Sequence, residues 1–192
     1  GLKRHDWQTG EWQRYRGDIL RALGVANENL PLAVRSIADA GNGQLWVATQ
    51  FGIVQFDPVS GVIKPLPPLP ENDESGAGTD SGPLLVSRAG VLWAGNWGNR
   101  IARYDPASRQ WTSKELVPGS DRANVSVSVF EDRHGTIWAG SLKGLHHIDP
   151  VSGSVRTFQH VADDSRSLTN NIVRSMHQDA DGTFWVGTQA GL

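Results

Sequence analysis

The chain has 192 residues, enough for a domain with a real core, and is 38% hydrophobic and 20% charged. Its 18 basic and 20 acidic side chains leave a net charge of −2, so no broad field favours nucleic acid or an anionic surface. Absence of cysteine excludes disulfides, thiol catalysis and thiolate metal sites, and no apolar run approaches the roughly 18 residues of a membrane span. The 22 glycines and 8 tryptophans beside a single methionine point to repeated turns and repeated large anchors.

Residues 1–15, GLKRHDWQTGEWQRY, read as two short strands around an Asp6–Gly10 turn. The same phrase recurs as GLHHIDPVSGSVRTF at 144–158, and Gly191-Leu192 starts it again. A loop follows over 16–31, with a short helix expected over DILRALGV (18–25), placed to plug a ring mouth, cover an edge or dock a partner. AVRSIAD (33–39) then alternates with period two, which marks a strand with two unlike faces. QLWVAT (44–49) is the next strand, a third starts at Gly52 and runs into Asp57-Pro58, and GVIKPL (61–66) is the fourth. Proline lacks a donor, so Asp-Pro ends the pairing and opens a turn.

PLPPLP (65–70) leads into ENDESGAGTDSG (71–82), an acidic solvated loop with a stiff entry, or a protein-docking loop. A second unit centres on VLWAGN (91–96). It runs one residue short before Gly98 and two long after it, in WGNRIARYDP (97–106), which reads as a bulge or an altered loop. The third unit is VSVSVFED (125–132), TIWAGS (136–141), the strand from Gly144 to Asp149-Pro150, and GSVRTF (153–158). After the linker DDSRSLTNN (163–171), IVRSMHQD (172–179) and TFWVGT (183–188) give two strands of a fourth unit.

Trp46, Trp93, Trp138 and Trp185 are spaced 47, 45 and 47 residues apart, each three residues after a turn glycine (Gly43, Gly90, Gly135, Gly182). Four short strands, A to D, in a unit of that period define a propeller blade. The expected fold is therefore all-β, a β-propeller of four repeats of four-stranded antiparallel blades. Blades are expected at about 33–66, 84–116 and 125–159, and one more shared between 1–15 and 172–192, so that 1–192 is a single propeller domain or a fragment of a longer array. The four tryptophans are expected to be structural anchors packed between sheets. The small residues two places after them (Ala48, Gly95, Gly140, Gly187) allow close approach.

The phrases NNIVRSMHQDADGTFWVGTQAGL (170–192) and VFEDRHGTIWAGSLKGLHHIDPVSG (129–153) resemble the two-component regulator propeller repeat. The resemblance implies the extracytoplasmic, periplasmic sensing region of a bacterial membrane receptor whose output is a histidine kinase or a diguanylate cyclase. It implies carbohydrate fragments as one ligand class, and attachment to a membrane only through parts outside this chain. Streptogramin lyases have similar repeats, so a lyase-like enzyme is the alternative in the catalytic class, and a protein-interaction or dimerisation scaffold is the alternative in the binding class.

No chemistry is concentrated in a motif. His146 and His147 are adjacent on a strand and face opposite ways, and His5, His134, His160 and His177 are scattered without metal-ligand spacing. No nucleophile elbow and no phosphate-cradling loop occur, so no catalytic residue, metal or cofactor is expected. Position supplies the remaining signal, because D–A and B–C loops share one face of a propeller. Trp97, with Asn96, Asn99 and Arg100 beside it, stands in the irregular B–C loop, where a flat ring flanked by amides and a guanidinium suits a sugar. Gln50, Phe51, Lys143 and Gln189 occupy the other B–C loops and complete the candidate ligand-binding set. The expected partner is a small molecule such as an oligosaccharide, with a homodimer as a way to cover open sheet edges and no nucleic acid.

Overall fold

A computed structural model describes residues 1–69, 81–96, 98–119 and 125–191. It is built from small antiparallel sheets, and the one helix among the described residues is short. The N-terminal hairpin pairs β1 (Lys3–His5) with β2 (Trp12–Arg14), and α1 (Arg16–Ala22) follows. Three four-stranded sheets come next. The first holds β3 (Val34–Gly41), β4 (Gln44–Thr49), β5 (Gly52–Phe56) and β6 (Ile63–Pro65). The second holds β7 (Ser81–Val86), β8 (Leu92–Asn96), β9 (Arg100–Asp105) and β10 (Gln110–Glu115). The third holds β11 (Ser126–Glu131), β12 (Ile137–Ser141), β13 (Gly144–Ile148) and β14 (Val155–Phe158). β15 (Val173–Gln178) and β16 (Phe184–Thr188) close the chain as a two-stranded sheet. Every sheet pairs consecutive strands, the up-and-down order of a propeller blade.

Blades stack in chain order through their first strands, β3 on β7, β7 on β11 and β11 on β15. The stacking depends on small residues at strand B. A Cβ on Gly95 would lie 2.7 Å from the Ser126 hydroxyl of the next blade, and one on Gly140 would lie 2.7 Å from a Val173 methyl. Hydrogen bonds tie the sheets as well: Ser81 Oγ donates to Thr49 O at 2.9 Å, and Leu84 N donates to Ser36 Oγ at 3.1 Å.

The expected blade shared between 1–15 and 172–192 is not formed within one chain. The β1–β2 and β15–β16 pairs are separate two-stranded sheets. Three complete blades stand between them, and each end already has a neighbour. The N-terminal hairpin packs Leu2 and Tyr15 on Val47, Val54 and Phe56 of the first full blade, with the Tyr15 and Phe56 rings 4.6 Å apart. β15 lies against β11 and β12 of the third.

The helix expected over 18–25 forms two residues earlier, over Arg16–Ala22. Its Ile19 and Leu20 are fully buried in the same cluster, so its apolar pair, and no side-chain cap, fixes it on the sheet. The irregularity expected near Gly98 includes Asn99 at φ 63°, and a second departure lies on strand A. There the pairs of β7 skip both Gly82 and Pro83, from Ser81 to Leu84, although the net shift is one residue as in β3, β11 and β15.

Candidate ligand-binding face

B–C turns and D–A connections lie together because, among the described residues, three B–C turns are tied to the chain just before strand A. Gln50 N donates to Ala33 O at 3.3 Å, Leu142 N to Val125 O at 3.3 Å, and Gln189 N to Ile172 O at 2.9 Å. The Gln50 side chain tightens its tie: its amide oxygen accepts from Ala33 N and its Nε2 donates to Pro31 O, both at 2.9 Å. Where the first strands converge at this end, a cavity of about 600 Å³ opens. Arg35, Gly82, Pro83, Val125, Val127 and Arg174 are among its walls. Arg35, Val127 and Arg174 are the bulged residues of β3, β11 and β15, and a bulge re-aims its side chain away from the ladder. Ser126, 1% exposed, lines the same cavity, and its hydroxyl has no hydrogen-bond partner among the described residues. The volume falls within the range of small-molecule sites.

The residues expected from the sequence are placed as follows. Trp97 lies outside the described residues, and Asn96 is described only as the last backbone position of β8. Asn99 is 2% exposed; its Nδ2 donates to Val117 O at 2.6 Å and its Oδ1 accepts from Val117 N at 3.0 Å. Both ends of its amide thus hold the loop together, which makes it a clamp and not a surface contact. Arg100 turns to its own sheet, donating from Nε to Ser113 Oγ at 3.1 Å and facing Glu115 at 3.4 Å. Phe51 packs against the first core cluster, under α1. Lys143 N caps Ser141 Oγ at 3.0 Å, and its carbonyl accepts from Gln159. Gln189 accepts from Arg174 at 3.0 Å and so steers that guanidinium at the cavity wall.

Of the anchors, the Trp46 ring lies 6.2 Å from Tyr104 of the following blade, and Trp93 is buried against Ile137 and Ile148 of its follower. Trp138 lies 4.9 Å from Phe184 and donates its indole N–H to Asp132 Oδ2 at 2.9 Å. Burial pushes the Asp132 carboxyl up, but the donors into it, from Trp138 first and then the Thr136 and His134 backbone, hold it below the usual range. Trp185 makes the same indole bond to Asp179, yet its ring is 47% exposed.

The histidines are spread over the molecule. His5 meets Trp7 edge-on and lies tilted over Trp12 on the N-terminal hairpin, and His147 meets the Trp138 ring edge-on. His160 bonds to Leu168 O. His146 is fully buried, between Ser141 Oγ at 2.8 Å and Thr157 Oγ1 at 3.0 Å, and burial lowers its pKa to about 4. Among the described residues no group of three His, Cys, Asp or Glu side chains could hold a metal ion.

Two sets of residues escaped the sequence reading. One is the cavity wall itself; its signal was the Val-Arg-Ser repeated at 34–36 and 173–175. The other is a stitch along the opposite face. Arg88 reaches the next A–B turn, donating to Arg133 O and Asp132 O, while its N–H donates to Glu131 at 2.7 Å. Arg133 repeats this one blade on, to Asp181 O at 3.2 Å and, from its N–H, to Gln178 at 2.8 Å.

Sheet order, blade stacking and this loop-face cavity define a β-propeller. Residues 167–190 match the family described as two component regulator propeller, so that segment is a repeat of that kind. Among solved structures, the chain is similar over its whole length to the extracellular domain of the one component system BT4673 from B. thetaiotaomicron, at 24% identity and a TM-score of 0.77. It is likewise similar to the extracellular domain of the hybrid two component system BT3049 from the same organism, at 18% identity and a TM-score of 0.71. The chain spans only 24% and 23% of those two extracellular domains. A catalytically inactive virginiamycin B lyase from Staphylococcus aureus with quinupristin is similar over 82% of this chain and 50% of its own, at 18% identity and a TM-score of 0.62. A search of curated protein sequences found no match.

Proposed function

We propose that this chain is part of the extracytoplasmic sensing propeller of a bacterial signalling receptor, where it binds an oligosaccharide or another small molecule without transforming it. The observation that carries the reading is the cavity at the converging ends of the first strands. It is an open cavity lined from three full blades and the last half-blade, so a ligand seated there touches several repeats at once. Such a ligand would bias the relative setting of blades, and that is what an input domain must pass on. The repeat match over 167–190 supports this assignment, and so does the similarity in fold to extracellular domains of signalling systems. Kinase or cyclase output would belong to other parts of such a receptor.

The test is a thermal-shift screen of the purified chain against neutral and acidic oligosaccharides, with mass spectrometry of each sugar afterwards. A sugar that raises the melting temperature, is recovered intact and loses its effect with Val127→Trp supports the reading. A sugar that returns cleaved or eliminated would place the chain among enzymes.

A scaffold role is favoured by separate observations at the two ends. Trp185 is 47% exposed, and Trp7 and Trp12 on the N-terminal hairpin are 89% and 63% exposed. Sedimentation velocity measures whether these faces meet: a dimer that Trp185→Glu dissolves supports association through them, and a monomer at all concentrations counts against it.

A further inference from the structure

The B–C turn that carries Leu142 into the cavity wall is closed differently from its counterparts. In the first blade Thr49 Oγ1 accepts from Phe51 N at 3.1 Å and donates to Gly52 O at 2.8 Å. The last turn repeats this: Thr188 Oγ1 accepts from Ala190 N at 3.2 Å and donates to Gly191 O at 2.8 Å. In the third blade Ser141 Oγ accepts from Lys143 N at 3.0 Å, but Gly144 O lies 3.3 Å away while His146 Nε2 lies at 2.8 Å. A hydroxyl has one hydrogen to give, and the far side of the ring decides where it goes. Thr157 Oγ1 donates to the carbonyl of the buried Leu116 at 3.2 Å, so at 3.0 Å it accepts from Nδ1–H, which leaves Nε2 bare. The Ser141 hydrogen therefore goes to His146, and this turn lacks the bond that Thr49 and Thr188 make. The first blade has Val54 at the position of His146, where no ring competes.

The ring is fully buried, and burial alone lowers its pKa to about 4. The elements packed around it bring Lys143 in the turn, His147 and Arg156 on the other face of their strands, and Arg100, Lys114 and Glu115 of the second blade; none of these acts on the ring. When the ring takes a proton, Nε2 becomes a donor. Ser141 Oγ then accepts from Nε2 and from Lys143 N, and its own hydrogen has Gly144 O as the acceptor in reach. We propose that His146 positions the wall of the candidate ligand-binding cavity: its neutral ring takes the Ser141 hydroxyl from Gly144 O and slackens the turn that carries Leu142, and a proton on the ring returns the hydroxyl and tightens the turn. That ligand binding follows acidity in this way rests on the reading of the cavity as the sensing site, whereas the hydroxyl exchange itself does not.

Methyl NMR of the purified chain with isotope-labelled leucine, titrated downward from neutral pH, tests this without any ligand. The Leu142 methyl signals are expected to move with the same midpoint as the His146 ring, near pH 4, while those of the buried Leu20 and Leu92 stay in place and report an intact fold. His146→Val, which installs the residue of the first blade, should abolish the movement. The variant also releases the hydroxyl at neutral pH, so its crystal structure should place Ser141 Oγ about 2.8 Å from Gly144 O, as in the Thr49 and Thr188 turns. Leu142 signals that ignore the His146 titration, a movement that survives in the variant, or a Ser141–Gly144 distance that stays at 3.3 Å overturns the proposal. If acid unfolds the chain before the ring titrates, the structure of the variant decides alone. A sugar identified by the thermal-shift screen should bind with an affinity that follows the same midpoint; failure of that screen removes the sensing reading and leaves the hydroxyl exchange to be judged by the NMR and the variant.

Discussion

At the scale of single residues, the repeat shows what each position demands by the exceptions it tolerates. The C–D turns place an aspartate at their start, and Asp6, Asp57 and Asp149 each accept two backbone N–H groups. These bonds hold the Asp6 and Asp149 carboxyls below their usual range, and the Ser60 side chain first, then the backbone, does so for Asp57. Four residues on, the turn needs a positive φ, which Gly10, Gly61 and Gly153 supply at 76°, 74° and 68°. In the second blade Arg109 takes that position at 57°. A side chain there is strained, while glycine costs entropy in the unfolded chain. Arg109→Gly is therefore expected to stabilise the fold by about 0.5–1 kcal/mol net, read as a raised urea midpoint; a lowered midpoint would mean the arginine makes a compensating contact.

His146 is the second exception. Its equivalents across from strand B are Val54, opposite Val47, and Ala102, opposite Ala94. Burial lowers its pKa from 6.5 to about 4, so the fold favours the neutral ring. Its contribution is whole above about pH 6.5 and is lost as the pH falls toward 4, by about 3 kcal/mol at most. Urea unfolding at pH 7 and at pH 4 should show this loss, and His146→Val should shrink it. An unchanged pH dependence in that variant would assign acid sensitivity to other groups.

At the scale of elements, the anchors decide how blades adhere. Trp138 fills the space between two sheets, against Phe184, Phe158 and His147, and its indole bond is satisfied. Trp138→Ala is expected to cost about 3–5 kcal/mol, as for an emptied packed site. Trp185→Ala should cost much less, because nearly half of that ring is in solvent. Equal losses in denaturant titrations would mean that the tryptophan positions act through their own sheets and not through the next blade. Strand order and tryptophan period were legible because the repeat states each rule four times, in glycine, tryptophan and aspartate at fixed offsets. The inter-blade stitch of Arg88 and Arg133 was not, because it joins residues 45 and 48 apart through backbone carbonyls, which leave no mark on composition. Asn99 read as a surface amide for the same reason: its partner is the backbone of Val117. Removing a stitch, as in Arg133→Ala, should cost roughly 1 kcal/mol, since the side chain is exposed. A loss of several kcal/mol would show the turns to be cooperative.

At the scale of the molecule, the fold builds a convergent end from several blades. Sequence reasoning placed a candidate face by its loops, and the structure shows there the bulged starts of the first strands, where Arg35, Val127 and Arg174 line a common cavity. That contribution could not be read from any single repeat, because the cavity exists only where repeats meet. The loop candidates Phe51, Asn99 and Arg100 are engaged within their own sheets or cores, whereas Gln189 touches the cavity through Arg174. The central claim is thus that ligand binding happens at the blade convergence. Hydrogen–deuterium exchange of the chain, with and without the oligosaccharide that gives the largest thermal shift, measures this directly. Protection is expected at the starts of β3, β11 and β15, around residues 34–36, 126–128 and 173–175. Protection confined to the outer strands or to the Trp7–Trp12 hairpin would contradict it.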